Sequence, residues 1–216
     1  MKLYGYFRSS AAFRVRIAFN LKGVESETAL VNLQTGDQFS DAFRAVNPQG
    51  RVPALTLDDG TVLVQSMAIM EYLDETIPDP PLLPKGAVAR ARVRGLANVI
   101  ACDIHPLNNL AVLNYLTGEM KVGEESKLRW YRHWVAEGLS AMEALVAGSA
   151  ETGRFCHGDA PGLADICLVP QVFNAQRFDC DLGGCPTLMR VFDACMALDA
   201  FDAAQPGRQP EAASVG

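Results

Sequence analysis

Lys2-Leu3-Tyr4-Gly5-Tyr6-Phe7-Arg8-Ser9-Ser10, running on into Ala11-Ala12-Phe13-Arg14-Val15-Arg16-Ile17-Ala18-Phe19-Asn20-Leu21-Lys22, changes its period within one short stretch. Lys2 to Phe7 is aromatic and apolar and reads as a strand. Arg8, Ser9 and Ser10 interrupt it with a cation and two hydroxyls. From Ala11 the apolar residues Phe13, Ile17, Ala18 and Leu21 recur at helical spacing, and Gly23 stops the run. Two serines at the opening of a helix set their hydroxyls beside unpaired backbone N–H groups, at the positive end of the helix dipole. Such a place holds an anion, or stabilises a thiolate by lowering the pKa of a thiol. A plain N-cap is the alternative for either serine.

Beyond Gly23 the first part of the chain keeps alternating. Glu27 to Val31 reads as a second strand, and Gly36 to Ala45 as a polar loop leading into a short amphipathic helix. Asn47-Pro48-Gln49-Gly50 is a turn. Val52 to Leu57 is a strand with a proline near its start, where the missing N–H is tolerated. Asp58-Asp59-Gly60 is a hairpin turn, Thr61 to Val64 the returning strand, and Gln65-Ser66 open a helix reaching Leu73. The order is β-α-β-α-β-β-α. Four prolines between Pro78 and Pro84 make a stiff linker, the best boundary in the chain. After it the pattern is helical: Ala87 to Leu116 as one long amphipathic stretch, Glu124 to Leu145, Gly162 to Phe178, and Pro186 to Leu198. The division expected is an α/β domain over 1–80, an all-α domain over 86–204 and a polar, fraying tail over 205–216.

The chain has 216 residues and a formal net charge of −6, which argues against nucleic acid or an anionic membrane as partner. No apolar run looks long enough to span a bilayer, and Met1-Lys2 leads straight into a strand, so a cytoplasmic protein is expected. The six cysteines all lie beyond residue 100, in the expected helical domain, without C-x-x-C spacing, and read as reduced, mostly buried thiols. The three histidines show no metal-ligand spacing, so no metal is expected.

Tyr6-Phe7-Arg8-Ser9-Ser10 followed by Arg14-Val15-Arg16-Ile17-Ala18 resembles the signature of zeta-class glutathione transferases. Asn47-Pro48, Val52-Pro53 and Gln65-Ser66 through Leu73 match as well. So do Ile104-His105-Pro106-Leu107-Asn108-Asn109-Leu110 and Leu168-Val169-Pro170-Gln171 through Phe178, and the similarity runs to Arg208-Gln209-Pro210. The resemblance implies a thioredoxin-like N-terminal domain, an all-helical C-terminal domain, and a homodimer. It implies glutathione as cofactor. Ser9 and Ser10 would meet its thiol, Val52 beside a cis Pro53 its cysteinyl backbone, and Gln65 and Ser66 its γ-glutamyl carboxylate. Ala11, Gln38, Asp103, His105, Asn108 and Asn109 complete the binding set so implied. Asp103 to Asn109 have an alternative as helix-surface polars or dimer contacts. The family usually has cysteine where this chain has Ala11, so the chemistry must rest on glutathione's own thiol. The helix opened by Gly162 lacks the family's usual Ser or Thr cap, while Asp165 can still bond back to the Gly162 N–H.

The class includes maleylacetoacetate isomerase and relatives that act on maleylpyruvate. Negative charge develops on a conjugated oxo-acid when a thiolate adds to it, so cations should face the substrate. Arg8 and Arg177 are the candidates, with structural ion pairs as the alternative for each. The closer second carboxylate of maleylpyruvate gives use for one more arginine, and Leu110 after Asn108-Asn109 favours maleylacetoacetate. Transferase action on haloacids is a further alternative, and a retained fold serving only as a binding module is another.

Overall fold

A computed structural model of the chain describes residues 1–212. It divides into two compact units: Met1–Leu82 together with the chain from Ala197 onward, and Leu83–Met196.

In the first unit β1 (Lys2–Gly5), β2 (Glu27–Leu30), β3 (Ala54–Thr56) and β4 (Val62–Val64) form a four-stranded sheet in the order β2-β1-β3-β4. β1 and β2 are parallel, while β3 is antiparallel to both β1 and β4. The helices are α1 (Ser10–Lys22), the short α2 (Asp41–Val46) and α3 (Ser66–Thr76). This is the thioredoxin-like arrangement expected. The register has a direct consequence. Tyr4, Ala54 and Val64 lie in one row across three strands. Beyond that row β1 is ending, β3 has not yet begun and β4 is ending. The segments that open α1, precede β3 and open α3 therefore emerge at the same end of the sheet.

α1 shows more burial than a one-faced helix. Phe13, Ile17 and Ala18 are buried as the spacing requires, and so are Ala12, Arg14, Val15 and Phe19. A helix buried on more than one side needs cover on more than one side. The chain end supplies it, which corrects the expected boundary at 204 and the expected fraying tail. Residues from Ala197, including α10 (Asp199–Asp202), belong with the first unit. Arg16 Nε donates to the Ala204 carbonyl at 3.0 Å, Asn20 Nδ2 donates to the Ala200 carbonyl at 2.8 Å, and Phe201 is buried. The ordered 3₁₀ turn Pro206–Arg208 follows. Positions 213–216 of the expected tail lie outside the described residues.

The C-terminal ends of α1 and α3 are tied by Lys22. Its ammonium donates to Asp74 Oδ1 at 2.8 Å and to the carbonyls of Ile77 and Pro80 at 2.6 Å each.

The second unit is helical: α4 (Ala87–Asn98), α5 (His105–Asn108), α6 (Leu110–Gly118), α7 (Glu124–Ala147), α8 (Leu163–Arg177) and α9 (Pro186–Met196). The expected single stretch from Ala87 to Leu116 is broken. Val99–Ile104 forms a π-helical turn, in which the His105 N–H bonds to the Ile100 carbonyl. Pro106 has no N–H to continue an α ladder, which accounts for the widened turn. Asn109 then has an extended backbone and caps a new helix. By length and apolar composition the run Ala87–Gly118 could cross a membrane, contrary to the expectation of no such run. Instead Val93, Leu96, Ala97, Ile100 and Ile104 are buried in the core of this unit. α7 crosses the π turn closely: a Cβ added at Gly138 would lie 2.2 Å from Ile104 Cγ1. At the start of α8 the Asp165 carboxylate accepts from the N–H groups of Gly162 and Cys156, both at 2.8 Å, so the cap survives without a side chain at Gly162.

Candidate active site

The first unit gathers most of the expected glutathione contacts at one end of its sheet. Ser9 is the N-cap of α1, with extended backbone and Oγ accepting from the Ala12 N–H at 3.2 Å. Ser10, the first residue of the helix, is buried, as is Ala11. Helices α1 and α3 have 13 and 11 residues, long enough for each N-terminus to carry a useful positive potential.

Ser66, the first residue of α3, is buried and accepts from Arg14 Nη1 at 3.4 Å. This contact places a guanidinium, only 2% exposed, beneath the opening of α3. Gln65 just before it has φ 73°, in the left-handed region that a non-glycine residue occupies at a cost of order 1 kcal/mol or more. Its Nε2 donates to Gln49 Oε1 at 2.9 Å.

The loop before β3 is organised by Asn47. Its Nδ2 donates to the Arg51 carbonyl at 2.7 Å, and its Oδ1 accepts from the Gln49 N–H at 3.1 Å. Gly50, at φ 61°, lets the turn close against the Gln38 carbonyl, which a Cβ would approach to 3.0 Å. Val52–Pro53 follows as a cis peptide, as the resemblance implied. Gln38 itself is buried and its Oε1 has no hydrogen-bond partner. A buried acceptor left open beside such a loop suits a ligand's N–H donor, because an unmet buried carbonyl is costly.

Arg8 is half-buried with its guanidinium 4.9 Å from the Phe7 ring centroid. Arg16 braces the same loop from behind by donating Nη2 to the Phe7 carbonyl at 3.0 Å; burial pulls its pKa down to about 10, so it stays cationic at neutral pH.

In the second unit the expected residues do not form one cluster. Asp103 is exposed and helps line an open cavity of about 280 Å³ with Cys102, Pro106, Leu107, Trp134 and Glu137. His105 opens α5 and is half-buried. Asn108 is buried with Nδ2 unpartnered. Asn109 is fully engaged as a cap: Oδ1 accepts from the Ala111 and Val112 N–H groups, and Nδ2 donates to the Pro106 carbonyl. Arg177, the last residue of α8, is exposed, with its guanidinium 5.3 Å from the Phe178 ring centroid. Neither Arg8 nor Arg177 has a carboxylate partner among the described residues.

Arg14 and Asn47 carry roles that sequence reasoning did not assign. Arg14 had a signal, since it lies at helical spacing on the face of Ile17 and Ala18, where a cation must be satisfied internally. Asn47 had the weaker one of a turn position.

Two helix N-termini and a turn-presented backbone at one end of a mixed four-stranded sheet define a glutathione-transferase type of protein. The family model for the glutathione S-transferase N-terminal domain matches residues 8–76. Maleylacetoacetate isomerase from Pseudomonas aeruginosa is 47% identical, with 98% of each chain covered. Maleylpyruvate isomerase from a Ralstonia species is 48% identical over 99% of this chain and all of the relative. Among solved structures, a holo maleylpyruvate isomerase described as a bacterial zeta-class glutathione transferase matches with a TM-score of 0.95 and 47% identity, covering 98% of this chain and 99% of that one. Maleylacetoacetate isomerase from Methylobacterium extorquens AM1, with bound malonate and glutathione, also matches with a TM-score of 0.95, at 46% identity over 97% and 98% of the two chains. The chain belongs to the zeta class of the glutathione transferase family.

Proposed function

We propose that this chain is a glutathione-dependent cis–trans isomerase that converts maleylacetoacetate to fumarylacetoacetate. The observation that carries the reading is the convergence of Ser9-Ser10, Val52-Pro53 and Gln65-Ser66 at one end of the sheet, in a chain of this class. The open acceptor on Gln38 and the cationic backing of Ser66 suit a peptide-like ligand carrying a carboxylate. In this reading Ser66 and the α3 N-terminus hold the γ-glutamyl carboxylate, with Gln65 beside it. The Val52 backbone pairs with the cysteinyl unit, and Gln38 accepts from a ligand N–H.

Bound glutathione supplies a thiolate that adds to the maleyl double bond and leaves again after rotation about the resulting single bond, so it is regenerated. A free thiol of pKa ~8.5 is only a few per cent ionised at neutral pH. Ser9 raises that fraction: its oxygen is fixed by the Ala12 N–H, and its own proton remains free for a sulfur anion. The α1 dipole acts in the same sense, and Ser10 is the second candidate donor. Ala11 carries no side-chain donor or thiol, so no protein sulfur takes part at that position. Arg8 and Arg177 are the cations proposed for the substrate's negative charge, neither having a carboxylate partner among the described residues. Asp103, His105 and Asn108 remain candidates for ligand contact, Asn108 through its open Nδ2. Asn109, also in the implied binding set, keeps its side chain for the α6 cap.

The named relatives include enzymes of both maleyl acids, and their identities of 47% and 48% do not choose between them. Leu110 after Asn108-Asn109 favours maleylacetoacetate, since an uncharged side chain there offers nothing to the closer carboxylate of maleylpyruvate. The test is kcat/KM for the two acids. A higher value for maleylacetoacetate is expected, and a clear preference for maleylpyruvate would replace the substrate. Transferase activity on haloacids is the secondary reading, since the same thiolate site would serve it.

The working form proposed is a cytoplasmic homodimer. All six cysteines are free thiols, four of them buried, which suits a reducing compartment. Val88, Leu110, Tyr115 and Met120 leave apolar surface exposed on the second unit. Sedimentation at micromolar concentration should give twice the chain mass, and a monomer there would contradict the dimer.

A further inference from the structure

We propose that Phe178 is a positioning residue for Arg177: its ring, backed by Tyr131, holds the exposed guanidinium in the pose that receives a substrate carboxylate. The inference rests on the reading of Arg177 as a substrate contact. Arg177 and Phe178 are neighbours at the end of α8, and the guanidinium carbon lies 5.3 Å from the Phe178 ring centroid. The Tyr131 ring packs on Phe178 at a centroid distance of 4.1 Å with 32° between planes.

Tyr131 is buried and its hydroxyl has no hydrogen-bond partner, so its place in the fold is set by its ring rather than by its phenol. The backbone beneath the stack is locked as well. The Phe178 N–H bonds to the Asn174 carbonyl at 3.0 Å, and the Phe178 carbonyl accepts from Arg132 Nε at 2.9 Å. Asp179 turns the chain away at φ 51°, and the Cys180 N–H returns to the Ala175 carbonyl at 2.9 Å.

Two arginines thus meet one turn and are used differently. Arg132 is spent on it, bonding the Phe178 carbonyl and lying 3.9 Å from the Asp179 carboxylate. Arg177 has no carboxylate partner among the described residues and rests on an aromatic face. An exposed arginine loses much rotamer freedom when it grips a carboxylate, and an aromatic shelf removes part of that loss beforehand.

The experiment is a double-mutant cycle on KM for the maleyl dicarboxylate, with KM for glutathione and the thermal midpoint followed alongside. Phe178→Leu should raise the dicarboxylate KM roughly three- to tenfold, with glutathione KM unchanged, and Phe178→Tyr should restore it. In an Arg177→Ala background Phe178→Leu should add almost nothing. If its penalty persists there in full, or if it leaves KM unchanged while Arg177→Ala raises it, the positioning role is overturned. If Arg177→Ala itself leaves KM unchanged, the substrate role of Arg177 fails, and this inference fails with it. Should Phe178→Leu not fold, Phe178→Met, which keeps bulk and loses the aromatic face, takes its place in the same cycle.

Discussion

Ser9 Oγ accepts from the Ala12 N–H, and this one contact makes the cap and the catalytic reading separable. Alanine at an N-cap costs about 1 kcal/mol, whereas glycine costs only a few tenths. Ser9→Ala should therefore lower the melting temperature by roughly 2–4 °C in a chain of this size, and Ser9→Gly should barely change it. Both should lower isomerase turnover roughly ten- to a thousandfold, the usual loss when a preorganised donor to an anion is removed. Wild-type turnover in Ser9→Gly would leave Ser9 as a cap only and pass the thiol to Ser10. The serines were legible in the sequence because strand, break and helix are local signals. Arg14 had no assigned role, because its partner Ser66 lies 52 positions away and no local pattern reports such a pairing. Asn109 shows the reverse: a residue read for binding is consumed by three hydrogen bonds within four positions of itself.

At the scale of elements, the strands and helices of the first unit follow from alternation, turn residues and period. The break in the long helix does not, because apolar residues continue at helical spacing straight through Pro106 and Asn109. The C-terminal ends of α1 and α3 offer an energetic test. The Lys22 side chain is fully buried and satisfied by Asp74 and two carbonyls. Removing one partner of a buried pair leaves the other charge uncompensated and typically costs 3 kcal/mol or more, about 3–5. Lys22→Met is expected to lower the melting temperature by roughly 6–20 °C. Lys22→Met combined with Asp74→Leu should recover much of that loss, since no orphaned carboxylate remains. A change under about 2 °C for the single variant would mean that Lys22 contributes no net stability.

For the whole molecule, the βαβαββα order and the helical remainder were readable, while the return of the chain end was not. Residues 197–204 read in sequence as the end of the helical domain and 205–216 as a polar tail, yet the chain from Ala197 packs with the first unit and bonds to α1. The site at the sheet end follows from strand register, which places α1, α3 and the Val52 loop together whatever the chemistry done there. Isomerisation and transfer use the same thiolate and differ in what becomes of it. With maleylacetoacetate as substrate, maleyl and fumaryl absorbance and free thiol should be followed together at a glutathione concentration far below that of the acid. Many turnovers per glutathione with free thiol constant are expected; loss of one thiol for each molecule of product would contradict the isomerase.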